Sequence, residues 1–236
     1  MIRDSMLEII SIKSRTPEQV DTDKVKYIEN SPELNSMCKK YNYAIENFVL
    51  DSKENIICFR HDDTTILSEP SVVNYKLNKV FRDKSIGVVG VIGTFQISNL
   101  FHWWLPHANL HGIGRVIQGG VDDNGNKIEY DLNRGVVPMN DYVTSVDGCI
   151  LFFNKQIFVD GLRFDENIEK YDFYDVDICL QILEMDKKVA VVDILVKHES
   201  QGVLGDDINL RREYMINKWS PKVGGKFPIT YLTKFI

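Results

Sequence analysis

Three short runs limit the fold most. Ile56 to Phe59 (IICF), Ile86 to Ile92 (IGVVGVI) and Cys149 to Phe153 (CILFF) carry almost no polar side chain. A bilayer span needs about 20 apolar residues, so these runs are too short to cross one. A half-exposed strand would alternate polar and apolar positions, and these do not. Continuous runs of this length fit central strands covered on both faces. Leu7 to Ile12 and Lys24 to Ile28 read as two further strands. Ser31-Pro32-Glu33 looks like a helix start. From Leu34 to Val49, apolar residues at Leu34, Met37, Tyr41, Ala44, Ile45 and Phe48 recur at helical spacing. Asn74 to Val80 reads as a second helix. Strand, strand, helix, strand, helix, strand predicts an α/β fold: a mostly parallel, doubly wound, Rossmann-like sheet with helices on both faces.

Composition removes several function classes. Of 236 residues, 44% are hydrophobic, enough for a sizeable core, and the net charge is −6. No tract of five or more Lys/Arg occurs, which argues against general nucleic-acid binding. Cys38, Cys58, Cys149 and Cys179 are spread out without C-x-x-C spacing, as expected of reduced, packed thiols. The first residues lack the charged-then-apolar pattern of a secretion signal, so a cytoplasmic location, or a peripheral one at the inner membrane face, is expected.

In the middle of the chain, Asn124-Gly125 predicts a small β-hairpin insertion, with Val116-Ile117 facing Ile128 to Tyr130. Just before it, SNLFHWWLPHANLHGIG holds His102, His107, His111, Trp103 and Trp104. It reads as an aromatic loop rather than a three-histidine metal site; the tryptophans could stack on a sugar or fill core. Further on, a helix is expected from about Asp172 to Asp175 onward, with Val176, Cys179, Leu180 and Leu183 as its apolar stripe. Val189 to Val196 reads as one strand ending at Lys197-His198.

The Ile56 run ends in Arg60-His61-Asp62-Asp63. In doubly wound sheets, ligands sit beyond the carboxyl ends of the strands. Two adjacent carboxylates there repel one another unless a cation binds. Asp63 is therefore a candidate ligand for a hard divalent cation, or else a cap for the segment after Thr64.

HDD, then VDGCILFFNKQIF…GLRFDENI, then FYDVDICLQIL, then VKHES stand in this order over about residues 7 to 200. Together they resemble family 2-type glycosyltransferases of the GT-A fold, closest to small bacterial glycosyltransferase-like proteins. The resemblance implies a nucleoside-diphosphate sugar donor, UDP favoured, a saccharide or other hydroxyl acceptor, and Mn²⁺ or Mg²⁺. Asp63 would hold the metal and Asp62 would touch the metal or the donor ribose. His61 stands where the usual Asp-x-Asp motif has its first Asp. His198 resembles a late third ligand, or is a polar strand-end residue. Asp175 resembles the catalytic base, or caps its helix; Tyr174 takes the place of a usual carboxylate beside it. A carboxylate in the first helical turn is expected to stay ionised. By resemblance Ser11, Arg15, Glu29 and Asn30 would contact the nucleotide, Asn42 the donor or only its neighbours, and Asp147 and Gly148 the sugars.

The resemblance implies a catalytic domain over 1–200 and a helix and tail over 201–236 on the acceptor side. There Arg211, Arg212 and Lys218 could meet phosphate or form a solvated face. Two other classes stay open. One is a GT-A domain that binds without turnover. The other is a nucleotidyltransferase, although SIKSRTPEQ lacks the glycines of a phosphate loop.

Overall fold

The computed structural model describes residues 7–12, 25–98, 101, 112–122, 124–135, 137, 140–200, 207–220 and 229–230. Strands β1 (Leu7–Ile12) and β2 (Val25–Ile28) precede helix α1 (Met37–Ala44), which runs on into a π-helical turn, Ile45–Val49. Then come β3 (Ile56–His61), β4 (Thr64–Ile66), α2 (Pro70–Val80), β5 (Ile86–Gly90), β6 (Ile92–Thr94) and β7 (Ile97–Ser98). The hairpin pair β8 (Gly112–Val121) and β9 (Lys127–Asn133) is followed by β10 (Asn140–Val143), β11 (Ser145–Val146) and β12 (Ile150–Asn154). The chain continues through α3 (Gln156–Val159), α4 (Tyr174–Glu184), β13 (Lys188–Val192), β14 (Val196–His198), α5 (Ile208–Trp219) and β15 (Ile229–Thr230).

The α/β class is as expected. The 86–92 run is split, since β5 ends at Gly90 and Ile92 opens β6 in another sheet. The three apolar runs supply β3, β5 and β12 at the centre of a seven-stranded sheet. Its order is β10-β13-β5-β12-β3-β1-β2. The sheet is mixed rather than mostly parallel. β1 runs parallel to β2 and β3, and β5 to β13, whereas β12 is antiparallel to both β3 and β5. The cause is local. β12 leaves from the edge at which β3 and β5 arrive, through a tight turn at 147–149 directly after β11. That reversal brings Asp147 and Gly148 to the carboxyl end of β3. Phe59, Leu151, Phe152 and Val89 are fully buried there, as continuous apolar runs require.

A second sheet, ordered β11-β6-β8-β14-β4 with β9 on β8, stands beside the first. The hairpin forms, but its register is offset from the expected one: Tyr130 faces Gln118 and Ile128 faces Gly120. Asp122 fixes the turn by accepting from the backbone N–H groups of Asn124 and Asn126. The expected strand over Val189–Val196 is two strands in two sheets. The break is held where Leu195 N–H donates to Ser68 Oγ and its carbonyl accepts from Leu67 and Ser68.

The first helix starts later than Ser31. Ser31 Oγ accepts from Leu34 N–H in a turn of its own, and Ser36 is the cap, accepting from Lys39 N–H. The second starts earlier than Asn74, with Pro70 in its first turn.

α5 is anchored by buried ions rather than presenting a solvated or phosphate-binding face. Lys218 Nζ lies 2.7 Å from Asp177 Oδ1 and 2.5 Å from Asp165 Oδ2. Asp177, also buried, accepts from Trp219 Nε1 and Gln181 Nε2. Arg211 is buried against Asp172. Removing one partner of such a pair leaves a desolvated charge. Lys218→Ala is expected to cost about 3 kcal/mol in urea denaturation; a loss below about 1 kcal/mol would mean that solvent already compensates Asp177.

Candidate active site and metal centre

The site is assembled at the carboxyl end of β3 by backbone contacts and one arginine side chain. His61 N–H donates to Cys149 carbonyl at 3.1 Å, so the 147–149 turn lies against the end of β3. Arg60 donates to the Thr64 carbonyl and closes the turn that carries Asp62 and Asp63. β4 then pairs antiparallel with β14, with His198 opposite Thr64, and Glu199 N–H donates to Asp63 carbonyl at 3.0 Å. The last pairing delivers His198 to Asp63.

His61, Asp63 and His198 each offer one ligand atom, all within 4.8 Å of one another. Asp63 Oδ1 is 3.5 Å from His198 Nε2 and 3.9 Å from His61 Nδ1; the two imidazole nitrogens are 3.3 Å apart. Two imidazoles and a carboxylate suit a first-row transition cation such as Mn²⁺, which accepts nitrogen beside oxygen, better than Mg²⁺, which keeps oxygen ligands and water. His198 is buried, and its Nδ1 has no hydrogen-bond partner among the described residues. The donor set therefore fits a divalent ion. A second group, Asp147, Cys149 and His198, shares the same histidine. It fits Mn²⁺ or Mg²⁺ less well, because a soft thiol is a poor partner for cations that prefer oxygen.

The adjacent carboxylates of the HDD stretch thus part company. Asp63 joins the two histidines. Asp62 stands outside that group and exerts its charge on Lys40, a fully buried residue of α1. Burial pulls the Lys40 ammonium down to about 8, and Asp62 partly restores it. His61, which departs from the usual acidic pattern, joins this candidate ligand group. Strand spacing did not signal it, because β3 ends at His61 and Asp62 and Asp63 lie in the turn that follows.

Asp175 opens α4 and is buried. Its Oδ2 accepts from Gly148 N–H at 3.0 Å and its Oδ1 from Val176 N–H at 2.8 Å. It does not stay an ordinary ionised carboxylate. Burial, then the charge of Asp147, raise it to about 7, and the backbone donors only partly oppose this. Tyr174 Oη lies 2.6 Å from His61 Nε2 and donates to Gly148 carbonyl at 2.8 Å. Phe173, directly before, takes φ 64°, a left-handed conformation that a bulky residue adopts only under constraint. Gly148 is required by space. A Cβ there would lie 2.1 Å from Tyr174 Oη and 2.9 Å from Asp175 Cβ.

The remaining candidates are scattered. Asp147 Oδ1 accepts from Cys149 N–H and shapes the turn. Ser11 lies in β1, in register with Tyr27 and Arg60. Glu29 and Asn30 follow β2 and are exposed, with Asn30 accepting from Tyr171 Oη. Asn42 is a clamp: it donates to Phe164 carbonyl and Glu166, and accepts from Phe164 N–H. Arg15 and the loop with His102, His107, His111, Trp103 and Trp104 lie outside the described residues. A cavity of about 830 Å³ sits at the other sheet edge, by Asn55, Ile86 and Asn154. It is at the amino ends of β3 and β5, away from the converging ligands.

The mixed α/β fold is similar to that of GT-A glycosyltransferases. The fold is similar to that of GalNAc-T7, solved with UDP, GalNAc and Mn²⁺. That match has a TM-score of 0.51 and 9% identity, over 90% of this chain and 47% of that one. It is also similar to the mannosyltransferase PcManGT from Pyrobaculum calidifontis, solved with GDP-Man and Mn²⁺. There the TM-score is 0.52 and the identity 9%, over 94% of this chain and 66% of that one. The chain thus spans about half to two thirds of these proteins. No curated protein sequence matches it. The chain belongs to the glycosyltransferase-like family, whose model matches residues 5–217.

Two outcomes follow from this geometry. Gly148→Ala must push Tyr174 and Asp175 aside, costing about 1–3 kcal/mol as overpacking; an unchanged urea midpoint would contradict the close approach. Asp175 holds its proton more tightly folded, at about 7, than at its ordinary value of 3.8. The stability this gives is complete below about 3.8 and is lost as pH rises through about 7. Urea stability measured from pH 4 to 8 should therefore fall less steeply in Asp175→Asn than in the wild type. Equal slopes would show an ordinary carboxylate.

Proposed function

We propose that this protein is a metal-dependent, inverting glycosyltransferase. It would move a sugar from a nucleoside-diphosphate donor to a hydroxyl of a saccharide or other acceptor. The observation that carries the reading is the convergence of His61 Nδ1, the Asp63 carboxylate and His198 Nε2 beside Asp175. The metals and nucleotides bound by the two similar structures support it, as does family membership. UDP is the favoured nucleotide.

His61, Asp63 and His198 would hold Mn²⁺, or Mg²⁺ less well. A divalent ion there supplies Lewis-acid neutralisation of the charge that builds on the departing diphosphate. Asp175 accepts the acceptor hydroxyl's proton as that oxygen attacks the anomeric carbon from the face opposite the diphosphate. Its raised affinity for a proton makes it a stronger base than an ordinary carboxylate. The N–H groups of Gly148 and Val176 hold the carboxylate in one orientation. Asp62, Ser11, Glu29 and Asn30 lie on the first three strands or the turns after them, the side on which a nucleoside would bind, and Arg15 would join them there. Asp147 and Gly148 would face the sugars. Asn42 acts through Phe164. Residues 1–200 would form the catalytic part, and 201–236 would lie on the acceptor side.

The test is binding followed by turnover. Thermal shift with UDP- and GDP-sugars should show a rise that needs Mn²⁺ and disappears in Asp63→Ala. Donor turnover should then increase with pH through an apparent value near 7, because the ionised Asp175 is the active form, and fall at least a hundredfold in Asp175→Asn. Metal-dependent nucleotide binding with no turnover of any donor would favour a binding domain instead. Release of pyrophosphate from a nucleoside triphosphate would favour a nucleotidyltransferase.

A further inference from the structure

We propose that Tyr174 is a positioning residue for the divalent ion: its hydroxyl fixes the tautomer of His61 and so aims the Nδ1 lone pair at Asp63 and His198. The inference rests on the metal reading above.

One proton decides the tautomer. Tyr174 Oη has a single hydrogen and two neighbours, His61 Nε2 at 2.6 Å and Gly148 carbonyl at 2.8 Å. Gly148 is buried, and a buried carbonyl without a donor costs about 1–3 kcal/mol. The Tyr174 proton therefore goes to Gly148, and the hydroxyl oxygen accepts from His61. Neutral His61 then carries its hydrogen on Nε2, leaving Nδ1 with a lone pair. That nitrogen is the one 3.3 Å from His198 Nε2 and 3.9 Å from Asp63 Oδ1. With the other tautomer a hydrogen would point into the ligand cluster and His61 could not coordinate.

Tyr174 is itself held firmly. It is buried in an aromatic cluster with Tyr41 at 5.8 Å and Phe164 at 6.4 Å between ring centroids. The left-handed Phe173 and the absence of a Cβ at Gly148 let it reach the turn. A residue that donates or accepts at the second nitrogen of a ligating histidine sets both ring orientation and basicity. The tyrosine that replaces a carboxylate before Asp175 thus has a role toward the metal rather than toward the acceptor.

The decisive variant is Tyr174→Phe, which keeps the ring and removes the hydroxyl. The control is Tyr41→Phe in the same cluster, because Tyr41 Oη has no hydrogen-bond partner among the described residues. Mn²⁺ affinity would be followed by electron paramagnetic resonance of the free ion, without donor or acceptor. The expected result is a 10- to 100-fold weaker Kd in Tyr174→Phe and an unchanged Kd in Tyr41→Phe. Nitrogen-15 NMR of the metal-free wild type at about pH 8, where histidine is neutral, should show the hydrogen of His61 on Nε2. Hydrogen on Nδ1 would overturn the inference, whatever the variant does. So would a Tyr174→Phe Kd within twofold of wild type while Asp63→Ala loses the ion, which leaves the metal reading standing. If Asp63→Ala also binds Mn²⁺ normally, the metal reading fails and takes this inference with it.

Discussion

The pairing of β4 with β14 is the contact on which the site depends. It sets His198 opposite Thr64 and ties Glu199 to the Asp63 carbonyl. The strand that ends in the HDD stretch belongs to the main sheet, whereas His198 belongs to the second. Only where the chain crosses between sheets can an imidazole so far along the sequence reach Asp63. Closing so long a loop costs conformational entropy, and it is offset here by ladder hydrogen bonds and by the buried Val196 and Thr64. The candidate ligand group and the sheet-to-sheet packing thus depend on the same contacts. A change that loosens the β4–β14 edge should loosen the ligands with it.

A second constraint comes from charge in a dry place. Asp175 and Asp147 lie near enough for one to raise the other, and backbone donors from Gly148 and Val176 hold Asp175 in place. A carboxylate raised to about 7 destabilises the fold at neutral pH relative to an exposed one. Its retention beside a tight glycine turn and a left-handed Phe173 matches a site where stability is given up for chemistry. Asp177, two residues on, is the contrasting case. It too is buried, but Lys218, Trp219 and Gln181 all meet it, and its work is to hold α5.

Much of this was legible in the chain. Continuous apolar runs marked the central strands, and the strand-end rule placed Asp63 just past the carboxyl end of β3, because both follow from short-range chemistry. The direction of β12 was not legible, since an apolar run reads the same in either orientation. The split of Val189–Val196 was hidden for a like reason: hydrophobicity continues across the link while the backbone changes sheets. Arg211 and Lys218 read as a polar face because their partners, Asp172, Asp165 and Asp177, lie far off in sequence. His61 and Tyr174 were seen only as departures from an acidic pattern. Their roles appear once His198 and the Gly148 turn stand beside them, and spacing along one chain cannot supply that.

The central claim is that His61, Asp63 and His198 hold one divalent ion. Anomalous diffraction at the manganese edge, from crystals soaked in Mn²⁺ with a nucleoside diphosphate, tests it most directly. The account predicts one strong peak bonded to His61 Nδ1, an Asp63 oxygen and His198 Nε2, at about 2.0–2.3 Å as for such ligands generally. A peak on Asp62 that leaves both imidazoles unligated, or no peak at the end of β3, would contradict it.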